Sequence, residues 1–117
     1  MEYRVLDIEA DPVKQEFELG HYDLIIAADV IHATMYLDES LRNVKKLLKP
    51  TGGILLLSEI FKTTGHLELT FGLTDGWWRF SDGYRRKWSP LVSAEEWEDV
   101  LEEMPVAVFV PDAGRRI

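Results

Sequence analysis

Residues 22–34 read Tyr-Asp-Leu-Ile-Ile-Ala-Ala-Asp-Val-Ile-His-Ala-Thr, an apolar run that ends in polar side chains. The part from His21 to Ala28 carries apolar residues on both alternating faces, which predicts a strand covered on both sides, as in a parallel sheet. An amphipathic helix from about Asp38 to Lys49 follows, and then a second apolar strand from Ile54 to Ile60. Strand, helix and strand with short joints predict a βαβ unit with a right-handed crossover.

The predicted helix has one apolar face and clear end signals. We expect Asp38 to cap its start, while a proline and a glycine pair end it. The apolar positions follow the 3.6-residue period of a helix that packs on a sheet. These positions are Leu37, Leu41, Val44 and Leu48, and the helix-ending residues are Pro50, Gly52 and Gly53.

Further elements are predicted on both sides of the βαβ unit. Tyr3 to Ile8 is predicted as a short strand, and Val106 to Val110 as a candidate last strand. Ser93-Ala94-Glu95-Glu96 has the pattern of a capping box, which begins a helix. The apolar face of that helix carries Trp97, Val100, Leu101 and Met104.

Residues 61–91 form a stretch rich in glycine, threonine and aromatic residues, with weak periodicity. Such a stretch inside one domain is typical of a lid or a substrate-binding loop, here with a short helix near Leu67 to Leu73. Trp77 and Trp78 are candidates for substrate contact. The alternative, at roughly even odds, is that they only anchor the loop to the core.

Composition excludes several classes of function. The 117 residues fit one domain or part of one, and 13 basic against 21 acidic side chains give a net charge of −8. An acidic chain does not suit nucleic-acid binding, and the absence of cysteine excludes disulfides and thiolate chemistry. No apolar run is long enough to cross a membrane and no secretory signal is visible, so we expect a cytoplasmic protein.

Candidate chemistry lies at the carboxyl ends of the predicted strands, where ligands bind in parallel α/β sheets. The polar residues there are Asp7, Asp29, His32, Ser58 and Glu59. If the two strands of the βαβ unit are neighbours, about 4.8 Å apart, His32 and Glu59 can form a hydrogen bond. A carboxylate on one ring nitrogen fixes the tautomer and leaves the other nitrogen as a general base.

Each of these residues has a simpler interpretation. A purely structural hydrogen bond is favoured about two to one for an isolated His–Glu pair, and Asp7 can instead cap a turn. His21 is expected at the surface, and the sequence does not predict where His66 lies. No H-E-x-x-H spacing occurs among the histidines, so we predict no metal site.

Several of these motifs resemble those of a known family. Residues 22–34 resemble the fourth strand of class I S-adenosylmethionine-dependent methyltransferases. More narrowly, they resemble the C-methyltransferase domain of fungal highly reducing polyketide synthases, where that strand ends in V-L-H-A-T. Leu73 to Trp78 resembles the family's G-L-x-x-G-W-W loop, and Leu91 to Leu101 its L-x-S-x-E-E-W helix. The resemblance covers roughly Tyr3 to Leu101.

The resemblance implies a reaction and its residues. The family methylates the α-carbon of a β-ketoacyl chain tethered to an acyl carrier protein. By position, His32 is the general base and Glu59 orients it. S-adenosylmethionine is the implied cofactor, with Asp7 near its adenine and Asp29 near its methionine end. Trp77 and Trp78 fall in the lid over the acyl chain.

The resemblance also implies what is missing from the sequence. The family's sheet order is 3-2-1-4-5-7-6, and this chain begins at strand 3, without the E-x-G-x-G-type loop that binds the cofactor. The predicted fold is thus α/β, a partial Rossmann-like methyltransferase sheet with strands 3, 4 and 5, strand 6 as a candidate, and no strands 1 and 2. Residues 1–117 form one partial domain, a fragment that functions within a polyketide synthase or pairs with another chain. The alternatives are a non-catalytic remnant with a structural or interaction role, and half of a small-molecule O- or N-methyltransferase.

Overall fold

The computed structural model describes residues 1–61 and 65–103, and the backbone of residues 107–109. Within these ranges, a strand, a helix and a strand follow one another as the sequence predicts, and two further helices precede the last strand. The strands are β1 (Leu24–Ala28), β2 (Ile54–Ser58) and β3 (Ala107–Phe109). The helices are α1 (Leu37–Leu47), α2 (Gly65–Phe71) and α3 (Ala94–Glu102), with 3-10 turns at Pro12–Gln15, Ile31–Ala33 and Asp75–Trp78.

The three strands form one parallel sheet in the order β1-β2-β3. Leu24 lies opposite Ile54 and Ala28 opposite Ser58, and β3 begins opposite Ile54 at Ala107. The predicted βαβ unit is therefore confirmed, and a last strand exists where one is predicted. The ends of that predicted strand, Met104 and residues 111–117 lie outside the described residues.

One buried cluster joins the sheet to α1 and α3. It contains Ala27, Leu55 and Leu57 from the sheet. All four predicted apolar positions of the first helix are buried, and the capping box of α3 forms between Ser93 and Glu96. None of the helices in the described ranges is long and apolar enough to cross a bilayer. The helix residues in the cluster are Leu37, Leu41, Val44, Trp97, Val100 and Leu101, and Leu48 joins it from the C-cap position of α1.

The start of α1 is not capped as predicted. Tyr36 is the N-cap residue and makes no side-chain cap bond. The Leu37 N–H instead donates to Asp82 Oδ2 at 2.9 Å, a residue 45 positions away. Asp38 lies in the first turn and accepts hydrogen bonds from Tyr84 and Arg85. A long-range contact therefore stabilises this helix end, where the sequence predicts a local one.

The predicted strand from Tyr3 to Ile8 is wrong in this structure. The segment has no strand assignment, and the Tyr3 and Val5 side chains are exposed. Arg4 lies over the Phe17 ring at 4.2 Å and donates to backbone carbonyls of the neighbouring turn. A strand needs a partner for its backbone groups, and none lies beside this segment among the described residues.

The expectation that the sheet is covered on both faces is also wrong. In β1 and β2, burial alternates along the chain. Leu24, Ile26 and Ile54 are exposed on one face, at 51%, 63% and 43%, while the cluster covers the other. The described helices therefore cover one face of this sheet, and apolar side chains remain on the other.

We expect Leu41→Ala to lower the free energy of unfolding by about 2–5 kcal/mol, because it leaves a cavity where a 1%-exposed side chain lay. Urea unfolding followed by circular dichroism measures this change. Leu73→Ala is the matched control, since Leu73 is 83% exposed. Equal losses in the two variants would contradict the placement of the core.

Candidate active site

His32 and Glu59 meet at the carboxyl edge of the sheet. Glu59 directly follows β2, and His32 lies in the 3-10 turn Ile31–Ala33 that follows β1. The His32 Nδ1 and Glu59 Oε2 atoms are 2.5 Å apart. The Glu59 side chain is 3% exposed and the His32 side chain 17%. The predicted contact is confirmed, and the imidazole keeps some access to solvent.

The Glu59 carboxylate also holds the backbone around His32. Its Oε1 atom accepts hydrogen bonds from the Val30 N–H at 3.1 Å and the Ile31 N–H at 2.7 Å. A carboxylate in its charged form only accepts hydrogen bonds, so with Glu59 in that form we assign the proton of the contact to His32 Nδ1, which donates to Oε2. The Nε2 atom then carries the lone pair, and the ring can take a proton there.

Asp29 lies at the same edge, between β1 and the turn. It has a positive φ of 50°, and its Oδ1 atom accepts from the Ile60 N–H at 3.2 Å. Possible ligand atoms of Asp29, His32 and Glu59 lie within 4.8 Å of one another. The atoms of His32 and Glu59 that face each other are already engaged in the hydrogen bond between them, which accounts for their approach. The expectation of no metal site stays a prediction.

Asp7 does not follow a strand. Its Oδ1 atom accepts from the Glu9 N–H at 2.9 Å, and its own N–H donates to the Gln15 side chain at 2.8 Å. This geometry is that of a turn cap, the simpler of the two interpretations. A contact between Asp7 and a cofactor stays a prediction.

Trp77 and Trp78 lie in the 3-10 turn after α2. Trp77 stacks on Phe71 with ring centroids 5.8 Å apart, and the Trp78 Nε1–H donates to the Gly72 carbonyl at 2.8 Å. Neither ring belongs to the buried core cluster, and Trp78 is 56% exposed. The two rings therefore hold the 3-10 turn against the end of α2, and they leave aromatic surface exposed. Their role in substrate contact stays a prediction.

The other two histidines lie elsewhere on the surface. His21 precedes β1, and its Nδ1 atom is 3.2 Å from Glu18, with the ring 58% exposed. His66 is exposed on α2. Of the three histidines, His32 alone pairs with a buried carboxylate.

Sequence reasoning missed two buried charged residues beside the site, Asp82 and Arg86. Both side chains are completely buried, and Arg86 Nε donates to Asp82 Oδ1 at 2.7 Å. Arg86 also donates to the His32 carbonyl at 2.8 Å. An acid four residues before an arginine is the signal in the sequence, but it usually marks an exposed ion pair.

A second network of contacts joins the loop that carries Asp82 and Arg86 to the start of α1 and the end of α3, at the surface. Arg85 contacts Asp38 at 3.2 Å and Glu103 at 2.5 Å. The Tyr84 hydroxyl donates to Asp38 at 2.7 Å, and this hydrogen bond to the carboxylate raises the pKa of Tyr84 above its usual value. These contacts hold the loop in place without touching His32.

Comparison with known proteins gives a consistent result. A family model described as a methyltransferase domain matches residues 2–55. The highly reducing polyketide synthase ltbA of Aspergillus luteorubrus is 46% identical over 101 residues, which is 86% of this chain and 3% of that protein. This chain therefore spans a small part of the curated relative's length.

Two solved structures are similar over most of the chain. The crystal structure of the CurJ carbon methyltransferase superposes with a TM-score of 0.79 at 49% identity, covering 84% of this chain and 26% of that one. The trans-methyltransferase CalH, solved in complex with SAH, superposes with a TM-score of 0.79 at 41% identity, covering 87% and 28%.

The parallel sheet, the pair at its carboxyl edge and the family match define part of a methyltransferase domain. Within that class, the chain belongs to the C-methyltransferase domains of polyketide synthases, because ltbA is a polyketide synthase and the CurJ structure is that of a carbon methyltransferase.

We expect Glu59→Gln to reverse the tautomer of His32. The amide keeps an oxygen for the backbone N–H groups and presents an NH₂ donor to Nδ1, so the ring proton moves to Nε2. Nitrogen-15 NMR of the imidazole measures the tautomer directly. Glu98→Gln, at an exposed position of α3, is the control. A ring that keeps its Nδ1 proton in Glu59→Gln would contradict this assignment.

Proposed function

We propose that this chain carries the general base of a C-methyltransferase acting within a polyketide synthase. The observation that supports this most is the Nδ1–Oε2 contact between His32 and Glu59, which leaves His32 Nε2 as the proton acceptor. The substrate class is a β-ketoacyl chain tethered to an acyl carrier protein. A cytoplasmic setting stays a prediction of the sequence.

His32 removes a proton from the α-carbon of the substrate, which two neighbouring carbonyl groups make acidic. Nε2 takes this proton, and Glu59 stabilises the imidazolium that forms, because its Oε2 already accepts the Nδ1 proton. Two backbone N–H groups fix the carboxylate, so the ring does not need to reorient during the transfer. The products of this step are an enolate and a protonated His32.

The residues at this edge suit one end of S-adenosylmethionine. Asp29 presents an exposed carboxylate close to the His32–Glu59 pair, which fits the ammonium group of the methionine portion. When bound, the cofactor supplies an electrophilic methyl group to the enolate. Asp7 remains the proposed contact to the adenine, although part of its carboxylate already caps a turn. We propose that these residues supply part of the cofactor site.

Trp77 and Trp78 are the proposed contacts to the acyl chain. The exposed part of the Trp78 ring, together with Phe71 and Trp77, offers an apolar surface on a short helix and turn that follow the site strand β2. Aromatic rings bury a large area at little cost in side-chain entropy, which suits an acyl chain of variable length. These residues therefore form the proposed lid.

We expect His32→Gln to lower methyl transfer to a β-ketoacyl thioester by about 10²–10⁴-fold, because the general base is lost. The assay follows labelled methyl from S-adenosylmethionine, using the full natural polypeptide that carries these residues. Affinity for S-adenosylmethionine is expected to stay within about twofold, since the imidazole acts on the substrate.

His21→Gln is the matched control, because this histidine is exposed and precedes β1. Unchanged transfer in His32→Gln would reject the base. Isothermal titration of the full polypeptide with S-adenosylmethionine distinguishes an enzyme from a non-catalytic remnant. No binding and no methyl transfer by the unsubstituted protein would indicate a remnant.

A further inference from the structure

The backbone turn that carries His32 is held from two opposite sides. On one side, Glu59 accepts the N–H groups of Val30 and Ile31 together with the imidazole proton. On the other side, Arg86 donates to the carbonyl groups that follow. Its Nη1 reaches the His32 carbonyl at 2.8 Å, and its Nη2 reaches Thr34 at 2.7 Å and Met35 at 3.1 Å. A carboxylate therefore binds the donors of this turn, and a guanidinium binds its acceptors.

All five N–H donors of the Arg86 guanidinium have an acceptor. Besides the carbonyls of His32, Thr34 and Met35, Nη1 donates to the Pro90 carbonyl at 3.4 Å, and Nε donates to Asp82 at 2.7 Å. A lysine at this position would offer three donors from a single nitrogen and could not match this planar arrangement. The contacts are therefore specific to an arginine.

Because Asp82 and Arg86 are buried, losing any of their contacts would leave a buried polar group without a partner. The side chains of Asp82 and Arg86 are both 0% exposed, and a buried charge must be paired and hydrogen-bonded. Asp82 uses its second oxygen to accept the Leu37 N–H at the start of α1. The pair thus connects the His32 turn to the helix that follows it.

We propose that Arg86 is a positioning residue for His32, a role that rests on the proposed base function. It acts through the backbone: by fixing the carbonyl of His32 and those of Thr34 and Met35, it sets the direction in which the imidazole leaves the turn. Asp82 fixes the guanidinium in turn. The orientation of His32 toward its substrate then depends on Arg86, a residue 54 positions later in the chain.

Arg85 provides a matched control at the next position. It has the same side chain and lies in the same loop, but its contacts are to Asp38 and Glu103. Its side chain is 18% exposed, against 0% for Arg86. A lysine at position 85 can keep an ion pair, whereas a lysine at position 86 leaves buried carbonyls without donors.

The test compares the 117-residue chain with Arg86→Lys and Arg85→Lys by NMR. In Arg86→Lys we expect the Nδ1 proton signature of His32 to be lost, and the Val30 and Ile31 amides to exchange about tenfold faster or more. Amides within β2 should change by less than about twofold, and Arg85→Lys should resemble the unsubstituted chain. An unchanged His32 signature in Arg86→Lys, or equal acceleration in β2, would overturn the proposal.

A second measurement covers the case in which Arg86→Lys does not fold. In the unsubstituted chain, the guanidinium protons of Arg86 should exchange with solvent much more slowly than those of Arg79, which is exposed. Fast exchange at Arg86 would overturn the proposal without any variant. Neither readout depends on methyl transfer. A negative result here would leave the proposed base function of His32 untouched, and a failure of the base function would leave the positioning role of Arg86 untouched.

Discussion

The parallel pairing of β1 with β2 places Ala28 opposite Ser58, and the candidate active site depends on this register. Both strands end at the same edge, so the residues that follow them lie side by side. Glu59 follows directly, and His32 comes after one short turn. A shift of one residue would point Glu59 to the other face of the sheet. The hydrophobic pattern that buries Ala27 and Leu57 therefore also fixes the geometry of the candidate site.

Opposite charges on the two sides of the His32 turn explain how a short 3-10 segment can hold the His32 side chain in one position. Such a turn leaves backbone N–H and C=O groups without partners of its own. Glu59 binds the N–H groups, and Arg86 binds the C=O groups. The same contacts that give these backbone groups their partners also hold the imidazole in place, so the stability of the turn and the orientation of His32 are linked.

The sequence predicts well those features that depend on neighbouring residues. The βαβ unit, the buried face of α1, the capping box at Ser93 and the meeting of His32 with Glu59 follow from local patterns and one topological rule. The cap from Asp82 and the contacts of Arg86 could not be predicted, because they join residues 45 and 54 positions apart. The segment from Tyr3 has the residues of a strand, but a strand forms only where a partner supplies hydrogen bonds.

The central proposal is that His32 removes the α-proton before any methyl group is transferred. The most direct test is the loss of deuterium from an α-deuterated β-ketoacyl thioester, incubated with the full natural polypeptide in the absence of a methyl donor. The account predicts wash-out to solvent well above the buffer background, which His32→Gln abolishes and His21→Gln retains. Deuterium retained at the background rate by the unsubstituted protein, while it still transfers methyl groups, would contradict the claim.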